Sequence, residues 1–70
     1  MPLVMAPADR EMEIKKITAD EKCKKHLREI GISEGGKITL VSGSGSGVIV
    51  IVKEGRLCLD GALARRILVA

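Results

Sequence analysis

Five consecutive branched aliphatic residues, Val48-Ile49-Val50-Ile51-Val52, constrain this chain more than any other segment. Branching at Cβ restricts the side-chain torsion and favours an extended, pleated backbone. In a strand, successive side chains point to opposite faces. Seventy residues make one domain, residues 1–70, with one core. Only one face of the run can therefore meet that core. Val50 is expected inside and Ile49 and Ile51 outside, as an apolar strip for protein contact unless the amino-terminal arm or a helix covers it.

The core must be aliphatic. Apolar residues are 46% of the chain, yet there is no Phe, Tyr or Trp. Without aromatic faces there are no stacking platforms for single-stranded nucleic acid and no cation cages. The charge, +3 from 12 Lys/Arg against 9 Asp/Glu, is mild, and acids sit between most of the basic residues. That pattern reads as a solvated mixed surface and gives no expectation of nucleic-acid binding.

Cys23 and Cys58 match no zinc or redox spacing. Residues 1–8 are apolar but too short, and lack the basic start, for a secretory signal. The longest apolar run is far below membrane-spanning length, so no membrane insertion is expected. These features predict free thiols in a reducing cytoplasm.

Along the chain, Pro2 and Pro7 predict an extended arm over residues 1–7, able to bury Leu3 and Met5. Glu11–Ile17 alternates as a half-buried strand, with Ile17 out of parity at a bend. Thr18-Ala19-Asp20-Glu21 reads as a capping box, with Thr18 at the N-cap and Glu21 reaching back. Ala19, Cys23, Leu27 and Ile30 then share one helical face, opposite Lys22, Lys25, Arg28 and Glu29. Gly31 is placed to end the helix in the left-handed conformation, with Ile32 packing back. Ser33-Glu34-Gly35-Gly36 is a turn. Strands over 37–42 and 47–53 form a hairpin with a flexible Ser/Gly tip at 42–47. Glu54-Gly55 turns into a strand over 56–59. Asp60 caps a short helical turn to Ala64, and Ile67–Val69 closes the fold. Five short strands, a helix after the first and a turn of helix before the last predict a small, mostly β, closed barrel.

Candidate chemistry is sparse. Cys23 and His26, three apart on one helix, can offer two ligands to iron or zinc, but a site needs more. A small core Cys and a half-exposed His are the plainer reading, and no cofactor is expected. The glycines at 43, 45 and 47 lack the Lys and helix start of a phosphate loop. One His, two remote Cys and scattered acids make no nucleophile–base pair, so no enzyme is expected.

Two stretches resemble a known family. Leu27-Arg28-Glu29-Ile30-Gly31-Ile32, followed by Glu34-Gly35 and Lys37-Ile38-Thr39-Leu40, is similar to the R-L-x-x-L-G-[ILM]-x-x-G-x-x-[VI] pattern of FeoA domains. Gly55-Arg56-Leu57-Cys58-Leu59 and Ala64-Arg65-Arg66-Ile67-Leu68-Val69 resemble their closing G-x-x-[LI]-[AS]-L and A-x-x-I-x-V. Pro2-Leu3 fits the usual amino-terminal arm. The hairpin tip at 42–47 replaces a Pro-rich one, and Asp60-Gly61 stands where basic residues are usual.

The resemblance implies an SH3-like barrel. It also implies an accessory role in bacterial ferrous iron uptake beside FeoB, the membrane transporter with a cytoplasmic GTP-binding domain. Leu27 and Arg28, in the motif, and Ile49 and Ile51, on the exposed strip, are the candidate partner contacts. Leu27 also reads as core. Self-association through the strip is a further expectation. Two other classes stand beside this one: a small metal-binding or metal-sensing protein using Cys23 and His26, and a basic nucleic-acid-binding barrel. Titration with Fe²⁺ or Zn²⁺ in reducing buffer separates the first, and salt-dependent nucleic-acid binding marks the second.

Overall fold

A computed structural model describes residues 1–44 and 46–70. Five antiparallel strands and two helices follow in order: β1 (Glu11–Ile17), α1 (Glu21–Glu29), β2 (Lys37–Ser44), β3 (Gly47–Val52), β4 (Gly55–Asp60), α2 (Gly61–Ala64) and β5 (Ile67–Val69). The strands lie in the order β4-β3-β2-β1-β5. This is the expected mostly β, SH3-like architecture. None of the described helices is long and apolar enough to cross a membrane.

β1 holds the fold together. Its first half, Glu11 to Glu13, pairs with Thr39 to Lys37 of β2. Its second half, Ile14 to Ile17, pairs with Val69 to Ile67 of β5, across a bulge between Ile14 and Lys16. The extra residue puts Lys15 and Lys16 both outside and returns Ile17 to the interior beside Met12 and Ile14. The bend expected at Ile17 is this bulge.

The helix starts two residues later than the capping box implied. Asp20, not Thr18, is the N-cap, and its carboxylate accepts the Cys23 N–H at 2.8 Å. Glu21 is the first helical residue, so it cannot reach back to the cap. Thr18 is drawn off by tertiary contact: its N–H and Oγ1 both donate to the Arg66 carbonyl, at 2.8 and 3.1 Å. The other end is as expected. Gly31 has φ of +94°. Its N–H donates to the Arg28 carbonyl and that of Ile32 to the Leu27 carbonyl, the two bonds of a Schellman cap. Ile32 is thereby driven fully into the core.

The amino-terminal arm also differs. Pro2 bridges Leu68, but Leu3–Met5 is a 3₁₀ turn rather than extended chain. Leu3 is buried and Met5 points out, 72% exposed, because a 3₁₀ turn does not set residues i and i+2 on one side. The hairpin strands run closer to the tip than expected, β2 reaching Ser44 and β3 beginning at Gly47. Of the expected flexible tip, Gly45 lies outside the described residues. β3 ends at Val52, with the turn at Lys53-Glu54.

The barrel is not sealed by a β4–β5 ladder. These strands are the two ends of the sheet order, linked by α2, whose first turn is capped by Asp60 accepting the Leu63 N–H at 2.7 Å. The core is wholly aliphatic apart from Met12. Leu3, Ile14, Leu27, Ile32, Ile38, Val50, Ile67 and Val69 are its most buried large side chains.

A Cβ added at Gly31 would sit 2.8 Å from Cγ of Glu54 and 3.4 Å from Cγ2 of Val52. Gly31→Val should therefore destabilise by about 1–3 kcal/mol, through strained φ and crowding together. Thermal unfolding checks this; an unchanged Tm would mean that the cap tolerates a branched residue.

Candidate protein-contact face

The parity expected for the Val/Ile run holds. Val48, Val50 and Val52 are buried, Ile49 is half-buried and Ile51 is 41% exposed. The ladders place these residues among their neighbours. Ile51 stands between Thr39 of β2 and Arg56 of β4, and Ile49 between Ser42 and Cys58. Residues directly opposite in antiparallel strands share a face. The outer surface of β2-β3-β4 therefore carries a strip of Thr39, Ile51, Ile49 and Cys58, with Arg56 at its margin.

Two grooves flank the strip. One, of about 460 Å³, runs from Ile51 past Gly31 and Gly36 and is rimmed by Glu11, Lys37 and Lys53. The other, of about 560 Å³, is lined by Gly43, Ser44, Ile49, Cys58 and Asp60. The first rim is charged and the second is edged by serines and Asp60, around floors that are apolar or glycine, the pattern of a polar-rimmed contact surface.

Of the motif residues, Leu27 is not available to a partner. It is fully buried, because α1 directs its apolar face onto the barrel and Leu27 is at the centre of that face. It is a core residue. Arg28 is exposed and lines a small cleft of about 170 Å³ with Lys24, Ser33 and Glu34. Gly35, with φ of +89°, makes the turn into β2, and its N–H donates to the Ile14 carbonyl at 2.7 Å.

Glu34 is the residue the sequence did not single out. Its Oε2 accepts the Ile17 N–H at 2.9 Å, a donor just past the β1 bulge. Lys24 Nζ lies 3.7 Å from the same oxygen. The Ile17 N–H holds the Glu34 carboxyl below the usual range; desolvation opposes it, and Lys24 and Lys16 add to the lowering. The Glu34-Gly35 turn thus splints the bulge.

The Cys23–His26 pair is set on two environments. Cys23 is half-buried against the core, in a groove with Ala19, Asp20, Leu63 and Arg66. His26 is turned to solvent, 70% exposed, with Nδ1 4.0 Å from Oε1 of Glu29. Cys58 is exposed on the sheet. Among the described residues there is no group of three or more His, Cys, Asp or Glu arranged to hold a metal.

The comparisons with known proteins agree with this architecture. The model of the FeoA domain matches residues 1–70. The fold is similar to a crystal structure of an iron uptake regulatory protein, FeoA, with TM-score 0.87 at 21% identity, covering 99% of this chain and 93% of that one. It is similar to an FeoA-like protein from Clostridium acetobutylicum, with TM-score 0.82 at 19% identity, covering 100% and 84%. It is also similar to an FeoA protein from Chlorobium tepidum, with TM-score 0.85 at 21% identity, covering 99% and 68%. No curated protein matches the chain.

The Glu34 splint sets a pH dependence. Its folded pKa is lowered, so the folded state binds fewer protons than the unfolded chain between the two values. The stabilisation is present above the ordinary carboxylate value and is lost as pH falls through the folded one. Glu34→Gln should therefore lie below the native chain in Tm at pH 7, with the gap closing in acid. A constant gap from neutral to acid pH would show that the charge contributes nothing.

Proposed function

The chain belongs to the FeoA domain family, and from that membership we propose that it serves ferrous iron uptake as a non-enzymatic accessory. It acts by contact with a membrane transporter of the FeoB type, on the cytoplasmic side. The observation that carries this reading is the outward parity of β3. In a chain whose core is otherwise closed, Ile51 stands 41% exposed on a charged-rimmed groove, with Ile49 half-buried beside it on a groove edged by serines and Asp60.

Burying such a side chain against a partner contributes about 1.5–3 kcal/mol before association costs. Two of them support a modest, reversible contact. Docking that favours one state of the transporter over another is enough to regulate it, because a ligand shifts an equilibrium by its difference in affinity for the two states. The accessory needs no iron site of its own for this role.

Ile49→Lys and Ile51→Lys place a charge on the outer face, so both should stay folded by circular dichroism. Each should co-purify with the transporter at least about tenfold less well, the equivalent of losing ~1.4 kcal/mol. Val50→Lys, on the buried face, should unfold the chain. Undiminished capture of both isoleucine variants by the transporter would move the docking site elsewhere, with the exposed Arg28 side of α1 next in line.

A further inference from the structure

β4 is the outer strand at one end of the sheet, and its backbone alternates between a paired and a free side. The Gly61 N–H donates to the Ser46 carbonyl at 3.0 Å, next to the pair Gly47–Asp60. That bond fixes the alternation. Residues 55, 57 and 59 turn their N–H and C=O toward β3, whereas those of Arg56 and Cys58, and the Asp60 N–H, point away from it. None of these outward groups has a backbone partner among the described residues. The side chains of Arg56, Cys58 and Asp60 are all exposed on the same face. A free strand edge is a template for another strand unless something blunts it. Here neither Pro nor Lys interrupts it.

We propose that β4 pairs antiparallel with β4 of a second copy of this chain, Cys58 opposite Cys58, joining two sheets across a two-fold axis. Charge selects both the occupant and the register. With Cys58 on the axis, Arg56 of each copy lies directly opposite Asp60 of the other, giving two ion pairs, and Leu57 lies opposite Leu59 beneath them. A shift of one residue on each strand puts Arg56 against Cys58 and Asp60 against Glu54. A shift of two puts Arg56 against Arg56. Only the first register is complementary to itself, which is what an isologous interface requires.

In that register the two Cys58 residues exchange both backbone hydrogen bonds. The Asp60 N–H of each copy donates to the Arg56 carbonyl of the other, for four bonds in all. Asp60 can do this while capping α2, because the cap engages only Oδ1. A two-fold axis normal to the sheet also sets the Ile49/Ile51 strips of both copies on one side of the dimer. The contact goes beyond the transporter-docking reading: it uses the backbone edge of β4, whose Arg56 and Cys58 border the strip, and not Ile49 or Ile51. Two short strands bury less than ~1,200 Å², so the dimer is a weak, exchanging one.

Sedimentation equilibrium in reducing buffer should show a monomer–dimer equilibrium that weakens with added salt. Arg56→Asp, an exposed substitution that sets two acids opposite each other twice over, should raise the dissociation constant about tenfold or more without changing the Tm. Paired Cα atoms in this geometry are about 5.5 Å apart, within disulfide reach. In a Cys23→Ser background, diamide should therefore link two copies through Cys58, the two thiols giving up two protons and two electrons to the diamide. Ile51→Lys should leave the dimer intact while losing the transporter, so the two proposals fail independently. The idea is overturned by a chain that stays monomeric at millimolar concentration. It is equally overturned by a dimer that Arg56→Asp leaves unchanged, or that Ile51→Lys dissolves.

Discussion

A single extra residue in β1 determines how this small barrel closes. A regular strand from Glu11 to Ile17 would bring Lys16 inward with Met12 and Ile14. The bulge between Ile14 and Lys16 instead expels two lysines and readmits Ile17. It also lets one strand serve β2 with its first half and β5 with its second, which bends the sheet round the core. A bulge leaves backbone groups without ladder partners, and the turn after α1 supplies them. Ile14 donates to the Gly36 carbonyl and accepts from Gly35, and Ile17 donates to the Glu34 carboxylate. The Schellman cap at Gly31 and the turn at Gly35 matter because together they carry the chain from the end of α1 back to this point.

Much of the fold could be read from pattern, and the exceptions have identifiable causes. The strand at 48–52 was legible because a period of two and a single interior leave no choice of face. The cap at Gly31 was legible because a helix ending in Gly-Ile has few alternatives. The N-cap was not, since Thr18 and Asp20 are both good caps and only the Arg66 carbonyl, 48 residues away, decides between them. The same limit hid Glu34: its partner is a backbone donor orphaned by the bulge, and nothing in the local sequence marks it. Closure was overestimated because pattern gives strand number and not which ends meet.

The candidate site divides in the same way. Ile49 and Ile51 followed from parity alone, and the structure adds the grooves and the charged rim. Leu27 was drawn toward a partner role by its place in a family pattern, yet short patterns of this kind mostly record packing. Its full burial places it with the core that α1 covers. What the fold offers is a rigid aliphatic interior and one sheet surface whose apolar groups are not spent on it.

The division of β1 between two partners also bears on how the chain can form during synthesis. α1 and the β2-β3-β4 meander are local in sequence and can assemble as they emerge. Glu11–Ile17, although made early, must wait for Ile67–Val69 to flank its second half. Until then the inner side of its far end faces water, beside an arm that also needs β5, since Val69 exchanges hydrogen bonds with Met1. The nascent domain therefore stays open along the second half of β1 until β5 is available to flank it, and it closes in one late step.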